Sequence, residues 1–108
     1  MTQEFSHGLK PKTVESLHSV FRNHPHIQKA ILYGSRAKGT ANLGSDIDLT
    51  LVGDKLTTTE LLKIETEIDD LMLPYKIDLS LLAQIDNPDL IEHIQQLGQN
   101  FYLSVATS

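Results

Sequence analysis

The sequence predicts an α/β chain of the α+β kind, a small mixed β-sheet flanked by helices, on three observations. Residues 46–52 and 75–82 alternate apolar and polar side chains with the period of a strand. Residues 14–21, 61–72 and 90–97 repeat apolar side chains every three or four positions, as helices with one buried face do. One of those helical stretches lies between the two alternating ones. A strand, helix, strand run of this length implies a parallel pair joined by a right-handed crossover. A further strand before residue 34 reaches residue 46 by a short connection and most simply runs antiparallel, which makes the sheet mixed.

Length and composition bound the rest. The 108 residues are expected to form a single domain, 1–108, with residues 1–10 a flexible N-terminal arm and no room for a second substrate-holding domain. Apolar content of 40% and charged content of 21% are those of a globular protein, not a disordered tail. The absence of cysteine excludes disulfides, thiolate catalysis and thiolate metal sites. The start Met1-Thr2-Gln3-Glu4 is polar and no apolar run approaches the ~18 residues of a membrane span, so the expected location is the cytoplasm. A net charge of −5 and only two arginines, Arg22 and Arg36, argue against direct nucleic-acid binding. An anionic ligand could still bind if metal ions carried the positive charge.

The first helix is expected from Pro11 to about Asn23, with Val14, Leu17, Val20 and Phe21 on its buried face and Pro11 tolerated in the first turn. His24-Pro25-His26 ends it. The His-x-His pair has the look of half a metal site, but no third ligand is near in sequence, so it reads as a polar turn. His7, His18 and His93 are scattered and are assigned no chemistry. Ile27 to Tyr33 reads as the first strand, closed by Gly34, and Ser35 to Lys38 suits one helical turn. Gly34 can take a backbone conformation closed to other residues and lets a group approach the main chain. With Ser35 capping the turn, several N–H groups could point at one spot and hold an anion. The plainer reading is a strand end and a capped turn.

Residues 46–52 form the second strand, with Ile47, Leu49 and Leu51 on one face and Asp46, Asp48 and Thr50 on the other. Two carboxylates one pleat apart repel, and sharing a proton or binding a cation relieves them. An exposed polar strand face would look the same. The second helix, Thr59 to about Leu73, carries Leu61, Ile64, Ile68, Leu71 and Met72 inward and a solvated acidic face outward, and Pro74 is expected to stop it. The third strand, Tyr75 to Leu82, sets Asp78 and Ser80 opposite Ile77, Leu79 and Leu81. Because parallel strands start at the same edge, Asp46, Asp48 and Asp78 can meet there, about 4.8 Å being the spacing of neighbouring strands. The antiparallel first strand brings Gly34 and Ser35 to that edge too. Oxygen ligands facing a phosphate cradle suit a site for two Mg²⁺ ions, or Mn²⁺, about 3.5–4 Å apart, in phosphoryl or nucleotidyl transfer.

Gly34-Ser35-Arg36-Ala37-Lys38-Gly39, then Ser45-Asp46-Ile47-Asp48-Leu49, then Asp78 on a later strand, resemble the nucleotidyltransferase superfamily that includes DNA polymerase beta. The chain looks most like the minimal nucleotidyltransferases of prokaryotes, and the resemblance covers nearly its whole length. The resemblance implies that Asp46 and Asp48 bind two Mg²⁺ ions and that Asp78 joins one of them and helps activate the attacking hydroxyl. It implies that Gly34 and Ser35 grip the triphosphate of ATP and that Arg36, Lys38 and Ser45 add nucleotide contacts. Relatives often have arginine where Lys38 stands. Many minimal members are antitoxins, MntA-like, paired with a helical HEPN toxin that some of them silence by transferring AMP to a tyrosine. A HEPN-type partner is therefore the implied acceptor.

Asn87-Pro88 opens a third helix along Leu90, Ile91, Ile94 and Leu97, closed by Gly98. Phe101, Tyr102, Leu103 and Val105 then read as an added edge strand or core packing, with docking of a partner or of a second copy the alternative. Two functional readings follow: a Mg²⁺-dependent protein adenylyltransferase, or a non-catalytic module that neutralises its partner by occlusion. The acid triad favours catalysis, since an occluding protein has no need of three mutually repelling groups. An Asp-x-Asp phosphatase or glycosyltransferase fits less well, because here the apolar residues follow the acids instead of preceding them.

Overall fold

A computed structural model describes residues 9–34 and 46–104. Ser35, Arg36, Lys38, Ser45 and the single helical turn expected after Gly34 lie outside the described residues, as do most of the N-terminal arm and Val105. The elements run α1 (Pro11–Arg22), β1 (Lys29–Tyr33), β2 (Ile47–Val52), α2 (Thr58–Asp70), β3 (Ile77–Leu81), a 3₁₀ turn (Leu82–Gln84), α3 (Pro88–Leu97) and β4 (Gln99–Leu103). The four strands form one sheet in the order β3-β2-β1-β4. β1 is antiparallel to both β2 and β4, and β2 is parallel to β3. The mixed sheet and the parallel crossover through α2 are as the patterning predicts.

Strand alternation divides the sheet into two faces. Ala30, Leu32, Ile47, Leu49 and Leu51 join Leu17, Val20 and Phe21 of α1 and Ile64 and Ile68 of α2 in the main core. Burying the valine, leucine, isoleucine and phenylalanine side chains among them contributes roughly 1.5–3 kcal/mol each. Leu9 is also fully buried in this core, so the end of the expected loose arm is anchored. The other face belongs to α3, whose Ile94 is buried. The backbone at Gly98 comes so near Ile31 and the Ile94 carbonyl that a Cβ would strike both.

Local chemistry sets the ends of the elements. Thr57 caps α2 by accepting from the Glu60 N–H at 3.2 Å, and Asn87 caps α3 by accepting from the N–H groups of Asp89 (2.9 Å) and Leu90 (3.3 Å). The stop of α2 differs from expectation. The helix ends at Asp70, four residues before Pro74, because Met72 takes φ 55° and turns the chain out of the helix. β1 begins at Lys29 instead of Ile27, since the Ile27 N–H closes a turn on the His24 carbonyl at 2.9 Å. β4 realises the edge-strand reading of the tail: Phe101 and Tyr102 are buried and the strand pairs with β1, leaving Leu103 exposed.

Candidate functional site

The parallel register sets Asp48 directly opposite Asp78, with Thr50 opposite Ser80 two residues on. On the other side of β2 the antiparallel register sets Tyr33 opposite Asp48. Since opposed residues share a face, Tyr33, Asp48 and Asp78 form a row across three strands, on the face away from the main core. Gly34 follows Tyr33 at φ 82°, and Asp48 Oδ2 occupies the space where a Cβ at Gly34 would stand. The residue must be glycine for both reasons. Asp46 lies exposed just before β2. The structure therefore brings Gly34, Asp48 and Asp78 together, with Asp46 exposed one residue before β2.

The electrostatics of this row are those of crowded like charges. Burial pushes the Asp48 carboxyl above its ordinary range, and the charges of Asp78 and Asp46 and a hydrogen bond with the Asp78 carboxyl push it further. The Tyr33 hydroxyl is likewise raised, by burial first and then by Asp48 and Asp78, against a hydrogen bond with Ser80. Ser80 Oγ donates to Thr50 Oγ1 at 2.9 Å, so a hydroxyl pair stands next to the acid pair along the two strands.

This donor set fits a hard cation. Asp48 and Asp78 are oxygen ligands whose mutual repulsion a bound cation would relieve, and Mg²⁺ is typically held by one or two carboxylates plus substrate phosphates. Among the described residues no group of three His, Asp or Glu side chains is placed to hold a metal ion.

Sequence reading missed two residues of this edge. Tyr33 looks like an ordinary strand aromatic, and only the register reveals it beside Asp48. His93 of α3, left without chemistry, accepts a hydrogen bond at Nε2 from the Gly34 N–H at 3.0 Å and sets its ring edge-on to Tyr33. Nothing local in the sequence marks either one.

His24-Pro25-His26 is more than a polar turn. Glu60 of α2 receives His24 Nδ1 at 3.1 Å on one oxygen and His26 Nδ1 at 2.9 Å on the other, while His24 Nε2 meets Glu67 at 2.8 Å. This network ties the end of α1 to α2.

The polymerase beta nucleotidyltransferase family model matches residues 15–104. No curated protein matches the chain. Among solved structures, the fold is similar to a toxin–antitoxin with AMP-PNP, at TM-score 0.67 and 19% identity over 84% of this chain and 73% of that one. It is similar to the MntA-HepT toxin–antitoxin, at TM-score 0.63 and 15% identity over 88% and 74%. A complex of tri-AMPylated HEPN toxin with MNT antitoxin from Shewanella oneidensis matches at TM-score 0.62 and 17% identity over 86% and 71%. At these identities the likeness is one of fold. The family match spans most of the chain and includes Gly34, Asp46, Asp48 and Asp78, so the chain belongs to the polymerase beta nucleotidyltransferase family.

Proposed function

We propose that this protein is a Mg²⁺-dependent nucleotidyltransferase that moves AMP from ATP to a hydroxyl of a partner protein, a tyrosine of a HEPN-type toxin, and so acts as an antitoxin. The observation that carries this reading is the pairing of Asp48 with Asp78 beside the main chain at Gly34. An AMP-PNP complex and an AMPylated HEPN toxin among the structures of like fold support the nucleotide and the partner. The family supports transfer as the reaction class. We assign it to the cytoplasm, where ATP is at hand; no helix among the described residues is long and apolar enough to cross a membrane.

We assign Asp46, Asp48 and Asp78 to hold two Mg²⁺ ions, or Mn²⁺. Those ions, when bound, supply the positive charge that offsets the triphosphate and the departing pyrophosphate. The Gly34-Ser35 turn grips the triphosphate, with Arg36, Lys38 and Ser45 contributing further contacts. The acceptor oxygen forms a bond to the α-phosphorus, the bond from that phosphorus to pyrophosphate breaks, and the hydroxyl proton passes to Asp78. Asp48, between the other two acids, keeps the cluster negative enough to need cations.

Mass spectrometry of a HEPN-type partner co-expressed with this chain tests the reading. The expected result is AMP on a partner tyrosine, lost with Asp48→Asn. A partner that stays unmodified yet is neutralised by a variant lacking all three carboxylates would replace transfer with occlusion.

A further inference from the structure

We infer that His93 is a positioning residue for the nucleotide: its Nε2 pins the Gly34 peptide and so sets the angle at which the chain leaves β1 beside Asp48. This rests on the proposed nucleotidyltransferase reading and adds a residue from a separate element. Gly34, at φ 82°, has the widest backbone freedom of any residue at this edge, and nothing in its own side chain restrains it. Asp48 Oδ2 also fills the place a Cβ would take at Gly34, so a rotation there shifts the main chain relative to the acid row. The restraint comes from α3. His93 Nε2 accepts the Gly34 N–H at 3.0 Å, which requires that nitrogen to be unprotonated.

A ring contact and the anchoring of its own helix hold the imidazole in turn. Its ring stands edge-on to Tyr33, centroids 6.3 Å apart at 76°, and the next residue, Ile94, is buried under the sheet. α3 is capped at its start by Asn87 and is closed at its end where Gly98 lies against Ile31. The helix is thus a fixed strut, and His93 is its point of contact with the strand end. A strand end that is already fixed does not have to be ordered when nucleotide binds, so the benefit falls on binding, in ground state and transition state alike.

The variants separate the hydrogen bond from packing. His93→Phe keeps a ring against Tyr33 but cannot accept, whereas His93→Gln offers an amide oxygen to the same N–H. In wild type, ATP with Mg²⁺ is titrated without acceptor, and kcat and KM are measured with acceptor. His93→Phe should weaken ATP binding and raise KM by about 3- to 10-fold, the worth of one hydrogen bond, with kcat within about 2-fold. His93→Gln should recover most of the loss. Amide hydrogen exchange in the nucleotide-free protein should show Gly34 protected in wild type and His93→Gln, and faster in His93→Phe. Equal ATP affinity in wild type and His93→Phe, a fall in kcat alone, or no recovery with Gln would overturn the positioning role. Wild-type protein that binds no ATP would instead overturn the nucleotidyltransferase reading, and with it any role of His93 in holding nucleotide.

Discussion

Asp48 and Asp78 face each other across the only parallel strand pair among the described residues, and after burial the charge of Asp78 makes Asp48 harder to ionise. Such a pair stores electrostatic repulsion in the folded state and leaves it available to a cation. Removing one member should therefore separate function from stability.

Asp48→Asn is expected to lower transfer activity by about 100-fold or more, in line with the loss of a central electrostatic group, and to raise the melting temperature at pH 7 by a few degrees. The sign follows from the direction of the shift. A carboxyl whose folded pKa lies above its unfolded value opposes folding once ionised, and that opposition weakens as pH falls through the folded pKa and is gone below the unfolded one. Calorimetry of both proteins without metal should find the variant more stable at neutral pH and the gap closing in acid. An unchanged or lower melting temperature at pH 7 would mean that the acid pair is already relieved within the protein.

Gly34→Ala probes the same contact from the main chain. A side chain at φ 82° costs roughly 1–2 kcal/mol, and the new methyl group would meet Asp48 Oδ2 and displace the carboxylate. Chemical denaturation should register a loss of at least that size, and ATP-dependent transfer should fall with it. Stability close to wild type would show that the turn has another conformation open to it.

The acid pairing is legible in the amino-acid sequence because it depends on two short-range signals. Alternation in 46–52 and 75–82 assigns Asp48 and Asp78 to polar faces, and one intervening helix makes their strands parallel. The edge strand at Phe101 and Tyr102 is legible as one of two outcomes, decided by its pairing with β1. What escapes the sequence depends on tertiary contact or on a backbone choice. His93 reaches Gly34 across 59 residues, and Glu60 reaches His24 across 36, distances over which no periodicity carries information. The end of α2 is misplaced by sequence reading because proline is a visible stop signal, while a methionine adopting a left-handed conformation is not.

The His24, His26 and Glu60 network makes a prediction about acid stability. Burial raises the Glu60 carboxyl, but hydrogen bonds from His26 and His24, together with their charges, outweigh it and leave the group below its ordinary range. A depressed carboxyl contributes stability that is present above its unfolded pKa and is lost as pH falls through the folded one. Glu60→Gln cannot take part in that titration. It should be less stable than wild type near neutral pH, and its stability should change less between about pH 5 and pH 3, the span in which an ordinary glutamate titrates. Because His26 is half-exposed, its bond to Glu60 is screened by solvent and salt. His24 is mostly buried and holds Glu60 and Glu67 at once, so its loss should cost more. Denaturant melts of Glu60→Gln, His24→Gln and His26→Gln across this pH range test the ranking, and a His26 variant less stable than the His24 variant would place the anchoring of α2 in the exposed pair.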